Sequence, residues 1–385
     1  MSSEGSKRKK KKIVSFDYTL MFIVLFLLLF GLVMLYSVST YEANLKFGSA
    51  GYYLKKQLLA TGIGIVAMFT IMLIDRHIFE VFALPLYLAS LVGILLVLTP
   101  LGYEAGGARR WLNLRIFSLQ PAELTKLSLI IFFAFIVCRM GDRIRTIKGF
   151  AFLMALAMPH VLLIYGVTSN LSSAIIVLGI VFVMLFVSTP DYKPFIITAL
   201  IGIAVAVTAV ELVKHDILPA DISFRLGRIK AWLNPEDYAA DKGYQTLQAL
   251  YAIGSGDFFG KGLGASIQKL GFIPEAQNDM IFSVICEELG FLGALCVILL
   301  FMLLLWRCLI IANNAPDLYG SLLVVGFMAH IAIQVILNIA VVTNTIPNTG
   351  ISLPFISYGG SSVTMLLGEV GIVLSVQRSI YVREM

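Results

Sequence analysis

Residues 18–38 read YTLMFIVLFLLLFGLVMLYSV, twenty-one positions without a charge. At 1.5 Å per residue, a helix of about 20 apolar residues crosses the hydrocarbon core of a bilayer. Lipid tolerates only helices or closed barrels, because every backbone polar group must be satisfied internally, and a run this long without alternation means a helix. Immediately before it, residues 7–12 read KRKKKK. A basic flank stays on the cytoplasmic side, so the N-terminus is expected in the cytoplasm. The run is too long for a signal-peptide core and has no small-residue cleavage site, so it reads as a permanent span.

Working outward, the chain has 385 residues, 59% hydrophobic and only 14% charged, with a net charge of +6. A soluble domain cannot hide that much apolar surface. Ten runs reach spanning length: 18–38, 57–74, 78–99, 120–139, 149–166, 170–188, 194–213, 280–306, 318–343 and 361–381. The expected fold is therefore all-α, a polytopic membrane protein with about ten transmembrane helices. A basic tail at 1–17 precedes a single transmembrane domain at 18–385. Even parity returns the C-terminus, YVREM, to the cytoplasm. The short connections 75–77, 140–148, 189–193 and 307–317 then face inward, and they carry Arg76, Arg139, Arg143, Arg145, Lys148, Lys193 and Arg307. Four cysteines lie in or beside apolar runs with no CxxC pair, and four histidines are scattered, so neither a disulfide framework nor a zinc site is indicated.

The outer face is the less ordinary one. Loops 39–56, 100–119 and 214–279 carry thirteen Lys and Arg residues, among them Lys46, Arg109, Arg110, Arg115, Arg225, Arg228, Lys242 and Lys269. Long loops cross regardless of charge, so orientation stands, and the outer face either meets something anionic or is simply solvated. The large extracytoplasmic loop 214–279, between helices 7 and 8, reads as partly helical and lying over the bundle. Its GDFFGKG has the wrong spacing for a phosphate loop, and no Ser or Thr follows the lysine. No nucleic-acid partner is expected.

Charges in two stretches and at Glu369, and an uncharged polar loop, stand in or beside spans where lipid makes polar groups expensive. In GYEAGGARRWLNLRIFSLQPAELTKL (102–127), Arg109 and Arg110 suit bidentate contact with a lipid phosphate or pyrophosphate, or nonspecific headgroup contact. Glu123 and Lys126 share a helix face, as a structural ion pair or as the lining of a wet pocket. In PEAQNDMIFSVICEELGF (274–291), Asp279 stands where a helix N-terminus welcomes a carboxylate, which makes a plain N-cap the simple reading. Glu287 and Glu288 lie about 12–14 Å further along a continuous helix. They require a cation or a proton, with Lys126 a candidate partner. Glu369 is a further intramembrane acid without an evident role. In the last outer loop, NTIPNTGISLPFISYGGSSV (344–363), Ser361 and Ser362 open a helix whose backbone N–H groups can face an anion.

Together these stretches resemble the SEDS family of bacterial cell-wall proteins (shape, elongation, division and sporulation). GARRWL, QPAELTKL, GYQTLQALYAIGSGDFFGKGLGASIQKLGFIPEAQNDMIF, EELGFLG and GISLPFISYGGSS match in order and spacing over spans one to ten. The division branch fits better than the elongation branch. The resemblance implies a peptidoglycan glycosyltransferase that polymerises lipid II at the outer face of the cytoplasmic membrane. It works with a cognate class B penicillin-binding protein, the division or elongation machinery and membrane lipids. It implies Asp279 as the catalytic base, with Glu123 and Lys126 in the pocket. Arg109, Arg110, Lys269, Glu275, Ser361 and Ser362 join the substrate-binding set.

Two departures matter. Gln277 and Asn278 precede Asp279 where many members have His-Thr, and TSNLSSA (168–174) puts Asn170 where the family often has Asp. A divalent cation, Mg or Mn, bridging the pyrophosphate is expected from the chemistry, yet Asn170 puts cation dependence in question. Asp279 is expected to be ionised, from its ordinary pKa of about 3.9. Two rival functions share the fold: a lipid II flippase, and a noncatalytic scaffold that recruits a penicillin-binding protein.

Overall fold

The structure is a computed structural model of the chain, describing residues 17–105, 107–113, 118–215, 223–241 and 243–380. The basic tail at 7–12, Arg115, Lys242 and the C-terminal YVREM lie outside the described residues, as does the side chain of Arg225. Ten helices are long and apolar enough to cross a membrane. They are α1 (Tyr18–Phe47), α2 (Tyr52–Leu73), α3 (Arg76–Leu96), α4 (Pro121–Met140), α5 (Ile147–Thr168), α6 (Leu171–Ser188) and α7 (Lys193–Lys214). After the long loop come α10 (Ile281–Asn314), α11 (Leu318–Val342) and α12 (Gly360–Arg378). Each coincides with one of the ten apolar runs. α1 continues nine residues past its run as a charged extension ending at Phe47.

The loop 214–279 holds two short helices, α8 (Ser223–Leu233) and α9 (Tyr244–Ser255), as its partly helical pattern anticipated. The 100–119 loop, which its sequence does not mark as strand, forms a small antiparallel sheet of β1 (Gly102–Ala105), β2 (Ala108–Asn113) and β3 (Ser118–Leu119). Trp111 pairs with Tyr103 across β1 and β2, which gives this sheet an aromatic rung.

α4, α6, α10, α11 and α12 form the centre of the bundle. Phe133, Phe301 and Phe327 are fully buried there, whereas α7 is exposed along most of its length. α12 lies tightly against α2 because small residues let the backbones approach. A Cβ on Gly64 would come within 2.6 Å of Leu367, and one on Gly371 within 2.7 Å of the Met68 carbonyl. At the end of the bundle that carries Asp17, this residue pairs with Arg307 at 2.5 Å, and Arg76 pairs with Asp317.

α10 is not one straight helix. Gly290 interrupts it at φ 67°, ψ −166°, so Ile281–Leu289 and the remainder are separate segments. Only glycine enters this conformation without strain, and a Cβ there would meet the Phe258 carbonyl at 2.6 Å. The backbone groups freed by the break are taken up by the glycine-rich loop. The amides of Lys261 and Gly262 donate to the carbonyls of Glu287 and Glu288 at 2.9 Å each. The amide of Phe291 donates to the Asp257 carbonyl at 3.0 Å. The stretch GDFFGKG thus splints a broken helix and holds no phosphate.

Candidate active site

Asp279 lies two residues before α10, and it is not an N-cap. Met280 occupies the capping position, and no side chain bonds to the first-turn amides. The carboxylate instead faces the extracytoplasmic loops. Gln245 of α9 donates from Nε2 to Asp279 Oδ1 at 3.4 Å and to the Pro274 carbonyl at 3.0 Å. Gln245 Oε1 accepts from Asn348 at 2.9 Å, and Gly350 lies against the other carboxylate oxygen. Arg228 of α8 reaches the Asn348 carbonyl at 3.5 Å, and Ser172 at the start of α6 holds the Thr349 carbonyl at 2.5 Å. α6, α8, α9 and the last outer loop thus converge on one carboxylate.

That environment overturns the expected protonation state. Burial pushes the Asp279 carboxyl up to about 7, and Glu275 adds to the shift, while Asp279's own backbone amide, Arg228 and Gln245 oppose it. A carboxylate leaving water loses hydration that two weak donors and one exposed guanidinium replace incompletely. The result is a group poised to give or take a proton near neutral pH.

Glu287 and Glu288, the acids inside the apolar run, turn out to be anchors. Glu287 accepts from Lys261 Nζ at 2.8 Å, Ser266 Oγ at 2.5 Å and the Ile267 amide at 3.0 Å. Glu288 accepts from Lys269 Nζ at 2.6 Å and Ser37 Oγ at 2.8 Å. Both acids are fully buried, and each charge is compensated. Their partners are lysines from the loop that precedes α10, not Lys126. Lys269, expected to bind substrate, has its ammonium committed to this buried clasp. Glu275, two residues ahead of Gln277, stands at φ 52° and accepts from Asn278 at 2.6 Å.

Lys126 pairs with Glu123 at 2.8 Å, the plain ion-pair reading of their spacing. The pair belongs to a longer buried chain that the sequence did not announce. Ser362 donates to Glu123 at 3.2 Å, Lys126 to Gln334 at 3.2 Å, and Gln334 meets His330 Nε2 at 2.9 Å. His330 Nδ1 then meets Glu369 at 2.8 Å, which gives that acid a partner. Asn338, one turn above Gln334, donates to the carbonyls of Asp279 (2.8 Å) and Ile351 (2.7 Å). His330, Gln334 and Asn338 recur every fourth position along an otherwise apolar helix. That polar stripe is the signal from which they could have been found. Ser361 is buried, and its hydroxyl finds no partner among the described residues.

The arginine pair sits at an irregularity of the sheet, where Tyr103 pairs with Trp111 and Glu104 with Arg109, so that Arg110 is an extra residue in β2. Arg109 donates to the carbonyls of Thr99 (3.2 Å) and Gly102 (2.7 Å), and Arg110 to those of Thr168 and Ser169, both at 3.1 Å. The two guanidiniums thus reach different carbonyls, Arg109 within the sheet's own loop and Arg110 at the end of α5. The cation whose charge reaches Asp279 is Arg228, which the sequence marked only as one of many loop charges.

A divalent cation bridging a pyrophosphate needs only one or two protein ligands beside the substrate's own oxygens. Among the described residues no three His, Cys, Asp or Glu side chains come together as a metal site. Asn170, at the place of the family's Asp, is spent as the N-cap of α6, accepting from the Ser173 amide at 3.0 Å.

Comparison with known proteins places this geometry in a family. Residues 18–381 match the family described as cell cycle protein, FtsW/RodA/SpoVE. The chain is 40% identical over 364 residues to stage V sporulation protein E of Bacillus subtilis, covering 94% of this chain and 97% of that one. It is 39% identical over 371 residues to the probable peptidoglycan glycosyltransferase FtsW of Trichlorobacter lovleyi, covering 96% and 95%. Among solved structures, a chain of a peptidoglycan synthase complex that coordinates polymerization and crosslinking superposes with a TM-score of 0.79 at 30% identity, covering 96% of this chain and 99% of that one. The rod shape determining protein RodA of Thermus thermophilus superposes with a TM-score of 0.69 at 29% identity, covering 97% and 100%. A ten-span bundle, a buried carboxylate ringed by loop helices and matches over almost the whole chain make this protein a member of the FtsW/RodA/SpoVE family.

Proposed function

We propose that the protein is a peptidoglycan glycosyltransferase that polymerises lipid II into glycan strands during cell-wall synthesis, with Asp279 as general base. The observation that carries this reading is the Asp279 environment: a carboxylate that caps nothing, bonded weakly by one amide and pushed to about 7. A structural acid would be paired, as Glu287 and Glu288 are. The acceptor sugar's 4-hydroxyl gives its proton to Asp279, and its oxygen bonds to C1 of the donor sugar. The bond from C1 to the pyrophosphate oxygen breaks, and undecaprenyl pyrophosphate leaves with the electron pair. One carboxylate suffices because this leaving group is an anion that needs charge stabilisation and no proton, unlike the leaving alcohol of a glycosidase. Arg228 supplies positive charge at the Asp279 end of the site.

The same reading puts the loop 214–279 outside the cytoplasmic membrane, with both termini in the cytoplasm. A cysteine introduced at the exposed Ala240 is then labelled in intact cells by an impermeant thiol reagent, and one at Asn314 is protected. It also gives the protein a class B penicillin-binding protein as partner. Polymerisation is tested with purified protein in detergent, where no membrane side exists and flipping cannot contribute. Glycan polymer from lipid II that disappears in Asp279→Asn supports the reading, and polymer at the wild-type rate from that variant ends it.

A further inference from the structure

A second cavity of about 230 Å³ lies on the outer face beside the segment that carries Asp279. One wall is the charged extension of α1, with Tyr41, Glu42 and Lys46, and the other is the loop Gly271–Gln277. The two walls meet where the Tyr41 ring lies over Gly271. We propose that this cleft is a subsite for one N-acetylhexosamine ring of a glycan strand. The inference rests on the glycosyltransferase reading above and specifies where that enzyme holds its saccharide.

The chemistry of the lining selects the ligand. Gln277 is 1% exposed, lines the cleft, and its amide oxygen finds no partner among the described residues. A buried amide oxygen left unpaired costs free energy that a ligand N–H recovers. Its backbone is fixed independently, since the Tyr358 amide donates to the Gln277 carbonyl at 2.9 Å. Glu42 and Glu275 both border the cleft, and burial together with Glu42 pushes the Glu275 carboxyl up while Lys46 opposes this. The lining also carries Lys46 and Lys269, but Lys46 is paired with Glu42 and Lys269 with Glu288, so neither is a free cation for a phosphate. Lys46 Nζ sits 2.5 Å from Glu42 Oε1, which makes the pair a poor cation cage and a good acceptor and donor set for hydroxyls. Tyr41 is 38% exposed and offers an aromatic surface to the apolar face of a sugar ring.

Size and position agree. Pockets for drug-sized ligands start at about 300 Å³, so this cleft suits a single ring and not a whole disaccharide with its peptide. The α1 extension that builds it lies beyond the apolar run 18–38, outside the hydrocarbon layer. That is where the water-soluble part of a lipid-linked substrate emerges. Gln277 and Asp279 are two residues apart, so a ring held at the first stands next to the reacting centre.

The test titrates purified full-length protein in detergent with N-acetylchitotetraose, following binding by saturation-transfer NMR. Wild type is expected to bind, and Gln277→Leu and Tyr41→Ala to bind at least tenfold more weakly with unchanged thermal unfolding. Tyr41→Ala is the variant at the exposed wall and keeps the test open if Gln277→Leu fails to fold. Wild-type protein that polymerises lipid II but ignores the tetrasaccharide, or variants that bind it equally well, overturn the subsite and leave the enzyme reading intact. The expected binding pattern in a protein that makes no polymer supports the subsite and sinks the enzyme reading instead.

Discussion

Gln245 on α9 and Asp279 ahead of α10 meet at 3.4 Å, and this contact ties the long loop 214–279 to the carboxylate proposed as the base. The distance is at the outer edge of hydrogen bonding, so Gln245 orients Asp279 without holding it strongly ionised. Asp279→Asn retains an oxygen for Gln245 to donate to and removes the base. Polymerisation in detergent is expected to fall by about 10²-fold or more, the usual scale for losing an acid–base group. Gln245→Leu is expected to lower the rate less, by about tenfold, through misorientation. A rate assay on equally expressed proteins checks both.

The raised Asp279 carboxyl sets a pH dependence for the reaction. A base must be deprotonated, so the rate is expected to rise about tenfold per pH unit below pH 7 and to level off above it. A carboxylate at its ordinary pKa of about 3.9 would give a flat profile from pH 5 to 8. A pH–rate profile of polymerisation distinguishes them.

Stability carries the opposite signature at the same residue. The folded-state value of about 7 lies above the unfolded one, so ionisation favours the unfolded chain as pH rises between about 4 and 7. Asp279→Asn removes that penalty. Its thermal midpoint is expected to match wild type near pH 4 and to exceed it at pH 8, measured by thermal unfolding in detergent.

The Lys269–Glu288 pair is a structural clasp, with both side chains at most 8% exposed. Lys269→Met alone leaves a buried charge and is expected to cost about 3–5 kcal/mol. The double change Lys269→Met with Glu288→Leu is expected to restore most of that stability. A double-mutant cycle on thermal unfolding measures the coupling.

Gly290 is irreplaceable on steric and conformational grounds together. Gly290→Ala would add about 1–3 kcal/mol for a backbone region that essentially only glycine enters. It would also drive a methyl group into the Phe258 carbonyl and lift the splinting loop. Loss of folded protein on size-exclusion chromatography is expected, while Gly254→Ala, which meets nothing within 4 Å, folds normally.

What the sequence determined by itself was the transmembrane architecture. Lipid leaves each span no hydrogen-bond partner but its own backbone, so length and hydropathy in one local window suffice, and all ten runs became helices. The residues alone read Asp279 as a plain N-cap and only the family resemblance pointed to it as a base, whereas the Glu123–Lys126 pair was legible because both residues lie on one helix face. Tertiary structure decided the remainder, because the deciding partners are far apart in the chain. Ser37 meets Glu288 across 251 residues, and His330 meets Glu369 across 39. The break at Gly290 was invisible because EELGFLG is as apolar as a continuous helix, and only the loop packed against it stabilises the interruption. Arg109 and Arg110 are adjacent in sequence, yet they reach carbonyls at Thr99 and Gly102 in one case and at Thr168 and Ser169 in the other. An ordinary aspartate pKa was the natural expectation for Asp279. The desolvation that raises it comes from α6, α8, α9 and the last loop closing together, which no local stretch of sequence records.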